Sequence, residues 1–149
     1  MRIDIIYGVY MLSEYAMEEI TETLEDAGCK VGNVHVARQR KEEVEQALSL
    51  FSCTDADQLI LVLSHGLEMD NPFTIDELLR YQNAAPNVKV ILVVDRNMRG
   101  SDFLQAMYDN GMYHAIYYDD TSAKNICRYV VEGVDKEGAN ALYEVENIC

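Results

Sequence analysis

Five times along this chain a short apolar run is followed by an amphipathic stretch, and that alternation restricts the possible folds more than any other feature. The runs are Ile3 to Val9, Val31 to Ala37, Leu59 to Leu63, Val88 to Val94 and Ala115 to Tyr118. Alternating strand and helix patterns build a parallel sheet flanked by helices, because a parallel neighbour is reached only through a crossover long enough to hold a helix. The expected architecture is an α/β three-layer sandwich around a five-stranded parallel sheet. A chain of 149 residues suits a single sheet with one core on each face.

The two middle strands are the clearest. Leu59-Ile60-Leu61-Val62-Leu63 and Val90-Ile91-Leu92-Val93-Val94 are apolar at every position, as strands covered on both faces must be. Strand one is expected over Arg2 to Val9, strand two over Val31 to Ala37 and strand three over Gln58 to Ser64. Capping residues mark the helix starts: Ser13 ahead of a helix ending at Gly28, Thr74 with Glu77 as a capping box, Ser101, and Thr121 or Ser122. Leu12, Ala16, Ile20, Leu24 and Ala27 form the expected buried stripe of the first helix. Val44, Ala47, Leu48 and Phe51 do so for the second, Lys41 to Phe51, and Ala123, Ile126, Cys127 and Val130 for the fifth.

Gly133 closes the repeating unit, so residues 1–133 are expected to form the domain and residues 134–149 a C-terminal helix or linker. In that tail Ala139, Leu142, Val145 and Cys149 fall at helical steps. Three fates remain open for it: folding back on the domain, self-association, or leading into a further domain.

A formal net charge of −14 opposes binding to phosphate backbones, so no nucleic-acid partner is expected. No run approaches the roughly 18 apolar residues of a membrane span, and Met1-Arg2 leads directly into a strand, so a soluble cytoplasmic protein without membrane contact is expected. Cys29, Cys53, Cys127 and Cys149 show neither a CxxC pair nor metal-ligand spacing, which fits reduced structural thiols and implies no cofactor. The first helix carries Glu14, Glu18, Glu19, Glu22, Glu25 and Asp26 with no cation, read as a solvated face.

Open parallel sheets bind and react at the carboxyl ends of their strands. Here those ends read Gly8-Val9-Tyr10, Arg38-Gln39-Arg40-Lys41, Ser64-His65-Gly66, Asp95 to Gly100 and Asp119-Asp120-Thr121. No GxGxxG follows strand one and no GxxxxGK[ST] occurs, so the glycine cradles for dinucleotides and nucleotide phosphates are missing.

The order of elements resembles the receiver domain of two-component signalling over most of the chain, which implies a flavodoxin-like strand order 2-1-3-4-5. That family carries a pair of acids after strand one, a phosphorylated aspartate after strand three, Ser/Thr after strand four and lysine after strand five. This chain has Gly8-Val9-Tyr10, Ser64-His65, Asp95 and Asp119-Asp120 there, a departure at each position. The resemblance therefore implies a receiver-like domain outside conventional phosphorylation. Through Tyr113 to Val130 the chain is also similar to the N-terminal domains of ParA/MinD-type ATPases of pilus assembly and conjugation.

Three constellations compete for a role. Ser64, His65, Asp95, Asp119 and Asp120 share one rim and have the chemistry to hold a divalent metal or ligand, although acids at helix starts and satisfied loop amides account for the same residues. Arg38, Arg40, Lys41, Arg96 and Arg99 are five of the twelve cations and suit an anion, although strands two and four are not neighbours in this order. Tyr108, Tyr113, Tyr117, Tyr118 and Tyr129, half of the ten tyrosines, suit an interface or the interior. The favoured function is a non-enzymatic regulatory or association domain whose partner is a second copy or another protein domain. The alternative is a small-ligand- or metal-dependent enzyme using the rim.

Overall fold

The apolar runs in the middle of the chain form the middle of the sheet. The computed structural model describes residues 1–9, 12–37, 41–51, 56–65 and 72–144. Within it, β1 (Arg2–Gly8), β2 (Lys30–Val36), β3 (Gln58–His65), β4 (Val88–Val94) and β5 (Ala115–Tyr117) pair in parallel in the order β2-β1-β3-β4-β5. This is the flavodoxin-like order that the resemblance implies. Leu59 to Leu63 and Val90 to Val94 are buried throughout, because helices cover both faces.

Side-chain alternation divides the interior in two. Ile60, Val62, Ile91, Val93 and Ile116 pack with α1 (Glu14–Asp26) and α5 (Ala123–Val131). Leu61, Leu63, Val90, Leu92 and Ala115 pack with α2 (Lys41–Phe51), α3 (Ile75–Gln82) and α4 (Asp102–Asp109). Cap chemistry sets the helix starts as the residues suggest. The Ser13 hydroxyl accepts from the Ala16 amide at 3.1 Å, and Thr74 and Glu77 form the reciprocal capping box at 3.1 and 3.0 Å. Ser122 caps α5 through the Asn125 amide, while the Thr121 hydroxyl donates to the Tyr117 carbonyl at 3.0 Å.

Two local expectations need correction. Ala27 is exposed and Cys29 is buried in its place, because the helix stops at Asp26 and Gly28 turns the chain at a φ of 96°. β5 is only three residues long, since Tyr118 enters a 3-10 turn over Tyr118–Asp120. Cys29 and Cys127 are buried free thiols; Cys53 and Cys149 lie outside the described residues.

The β2 edge carries a bulge held by the one buried charged residue among those described, Asp4. Its Oδ1 accepts from the Asn33 amide at 2.9 Å and lies 3.7 Å from Arg2 Nε, and the register jumps from Ile3 opposite Val31 to Ile5 opposite Val34. Gly32 is required there, since a Cβ would sit 2.6 Å from both Arg2 Nε and Asp4 Oδ1. A bulge of this kind interrupts an edge that otherwise invites strand pairing.

Beyond Gly133, α6 (Lys136–Tyr143) folds back against α4 and β5. Ala139 and Tyr143 are fully buried, the Tyr143 hydroxyl donates to the Met112 carbonyl at 3.0 Å, and the Gly100 amide donates to the Tyr143 carbonyl at 2.8 Å. Val145 and Cys149 lie outside the described residues. Tyr143→Ala is expected to lower the unfolding free energy by about 3–5 kcal/mol, the loss typical of a large core side chain. Urea denaturation measures this, and a loss below about 0.5 kcal/mol, typical of a surface change, contradicts α6 as part of the core.

Candidate functional site

The parallel strands place their carboxyl ends along one rim, formed by Gly8-Val9, Ser64-His65, Asp95 and the turn after Tyr117. Ser64 Oγ donates to the Gly8 carbonyl at 3.4 Å. The His65 ring is half-buried and stacks on Phe103 with centroids 4.0 Å apart and an interplanar angle of 19°. Its Nδ1 is buried with no hydrogen-bond partner among the described residues. Burial lowers its pKa, against smaller upward influences from the Phe73 backbone and from Asp95, so the ring is held towards its neutral form.

The acids of the rim turn towards a cation. Arg96 stands in a 3-10 turn after β4, at Arg96–Met98, and its guanidinium grips Asp119 through Nε at 2.9 Å and Nη2 at 3.0 Å. Nη2 also reaches Asp120 Oδ2 at 2.7 Å. The group lies over the Tyr117 ring, 4.6 Å from its centroid. Hydrogen bonds from Arg96 hold the Asp119 carboxyl below its ordinary pKa, and the two carboxylates raise that of Arg96. Asp95 is exposed, and its side chain makes no capping bond to the turn that it precedes. The structure therefore joins Asp119 and Asp120 to each other but not to His65 or Asp95. Among the described residues no three His, Cys, Asp or Glu side chains converge as a metal site.

The cationic cluster is likewise divided. Arg96 is occupied by two aspartates, Arg99 pairs with Glu144 on the segment after α6, and Lys41 pairs with Glu77 at 2.6 Å. Arg38 and Arg40 lie outside the described residues. β1 and β3 separate β2 from β4, and arginines with acidic partners do not leave an open anion pocket.

The tyrosines expected at an interface belong mostly to the interior. Tyr108, Tyr117 and Tyr129 are buried, Tyr113 is partly buried, and Tyr118 alone of the five is exposed, at 47%. The hydroxyls explain the burial: Tyr129 donates to the Ala115 carbonyl at 2.9 Å and Tyr117 to the Leu142 carbonyl, so the rings enter the core with their polar tips satisfied. α6 also lies against α4, covering part of the face on which these residues were expected to meet a partner.

The opposite end of the sheet went unnoticed in the sequence. Gln58, Lys89 and His114 stand two residues before Ile60, Ile91 and Ile116, one in or just ahead of each of three adjacent strands. Lys89 is the one charged residue in β4, a signal that was available. Its Nζ donates to the carbonyls of Tyr129 and Val130 at 3.0 and 3.2 Å, and burial lowers its pKa.

No protein-family model matches the chain, and no curated protein matches it. Among solved structures, a response regulator receiver domain protein from Clostridium thermocellum is similar, with a TM-score of 0.55 and 16% identity, covering 89% of this chain and 92% of that one. At this identity the likeness is one of fold. No helix among the described residues is long and apolar enough to cross a membrane.

His114 supplies a pH test. Burial, and secondarily the charge of Lys89, lowers its pKa from 6.5 to about 4. Between those values the unfolded chain binds the proton that the folded ring refuses, so this contribution to stability is complete above 6.5 and falls as pH drops towards 4. The slope reaches about 1.4 kcal/mol per pH unit. Urea titrations of the wild type and His114→Gln from pH 7 to pH 4 are expected to converge as pH falls; parallel curves contradict a neutral, partly buried His114.

Proposed function

We propose that this chain is a receiver-like regulatory or association domain that works through protein contacts and is not phosphorylated in the conventional way. One observation carries the reading: Arg96 holds Asp119 and Asp120 at the rim, where a phosphoaspartate site needs free acids for magnesium and a lysine for the phosphoryl oxygens. β3 ends in Ser64-His65 rather than in a carboxylate nucleophile. The Ser64 hydroxyl bonds Gly8, and the His65 ring is stacked beneath Phe103.

Regulation then comes from what the domain touches. Tyr118, exposed beside the Arg96 clamp, offers aromatic area with a polar tip, a side chain favoured at contact surfaces. The partner is a second copy of this chain or another protein domain. The resemblance to the N-terminal domains of ParA/MinD-type ATPases favours localisation or association as the role.

Incubation with acetyl phosphate and magnesium, followed by intact-mass measurement, is expected to show no added phosphoryl group. A hydroxylamine-labile adduct overturns the reading. Sedimentation of wild type and Tyr118→Arg addresses the partner: self-association weakened by the substitution supports a second copy. A wild-type monomer at all concentrations removes the second copy and leaves a different protein domain as the partner.

A further inference from the structure

Alternation along β3, β4 and β5 turns Ile60, Ile91 and Ile116 to the same face of the sheet, against α1 and α5. Two residues nearer the amino end of each strand the same face carries Gln58, Lys89 and, just ahead of β5, His114. The register steps the three along the sheet, with Lys89 opposite Ile60 and Ile91 opposite Val62, so they meet around a cavity at the amino ends and do not form a single row. These residues line an open cavity of about 500 Å³, with Asn83, Asn87 and Gly111 on its wall, a volume within the range of small-molecule sites.

The polar groups around this cavity are incompletely matched. Lys89 Nζ donates to two carbonyls at the end of α5, but an ammonium has three donors. No carboxylate among the described residues lies within ion-pair distance of it, in a chain of net charge −14. His114 Nε2 accepts from the Val134 amide at 3.1 Å, so the neutral ring carries its proton on Nδ1 and is a second donor. Gln58 Oε1 is buried and accepts no hydrogen bond, a state that normally calls for a partner. The local lowering of the Lys89 and His114 pKa values by burial agrees with donors drawn out of bulk water.

We propose that this cavity binds a small carboxylate bearing an adjacent hydroxyl or amino group, its carboxylate on Lys89 and His114 and its donor on Gln58. The anion supplies the charge that Lys89 lacks, and the neighbouring donor satisfies the Gln58 oxygen once rotation of that partly exposed side chain turns it from its buried position into the cavity. A simple carboxylate fulfils only the first requirement, and inorganic phosphate, which keeps a P–OH donor near neutral pH, differs in its tetrahedral shape and greater charge. The site lies at the opposite end of the strands from the Arg96 rim, so it is independent of whether the domain is phosphorylated.

Glycolate, lactate and glycine, with acetate and phosphate as controls, are to be titrated into the full chain while amide and imidazole NMR signals are followed. The expected result is saturable shifts at Gln58, Lys89 and His114, with glycolate, lactate or glycine binding about tenfold more tightly than acetate, the worth of one hydrogen bond. Gln58→Met is expected to abolish that difference and Lys89→Met to abolish binding. If Lys89→Met does not fold, the wild-type titration and Gln58→Met decide the matter. Absence of saturable shifts at millimolar ligand overturns the proposal, as do shifts confined to Arg96 and its neighbours or equal affinity for acetate and glycolate.

Discussion

Burial of both faces of β3 and β4 is the condition on which everything else depends. Their ten central residues are apolar without interruption, and none tolerates water on either side. α1 and α5 must therefore cover one face and α2, α3 and α4 the other. Once the helices are so distributed, the strand ends gather into two rims and their loops are brought together.

The edges of the sheet are protected by different means. At β2 the buried Asp4 carboxylate holds a bulge, and Gly32 leaves room for it. At β5 the strand is short, and α6 lies beside it, tied by backbone carbonyls to Tyr117 and Gly100. The tail thus shares the hydrophobic interior of the receiver-like fold, and the tyrosines near it serve that interior more than the surface. Their hydroxyls are what allow this: each buried ring that finds a carbonyl escapes the desolvation penalty of an unpaired polar tip.

The two rims differ in electrostatic character. At the carboxyl rim, opposite charges have found each other, Arg96 with Asp119 and Asp120 and Arg99 with Glu144, so these charges are balanced within the protein. At the amino rim, Lys89 meets helix carbonyls rather than a carboxylate. An ammonium and a neutral imidazole are thereby held side by side in a setting that is only partly polar.

From the residues alone came the alternation of strands and helices, both central strands, four of the helix caps and the absence of the glycine cradles, because apolar periodicity and cap chemistry are local properties that survive into the fold; the strand order followed from the resemblance to receiver domains. The same reading placed Asp119, Asp120, Arg96 and Arg99 on one rim but could not say that they would pair with one another. It also gave Tyr108, Tyr117 and Tyr129 the surface as readily as the core. Those outcomes, together with the docking of α6 and the meeting of Gln58, Lys89 and His114, depend on distances between side chains that lie far apart along the chain. Such distances exist only after the sheet has closed and its helices have packed, since charge pairing and polar burial are decided by the neighbours a residue acquires.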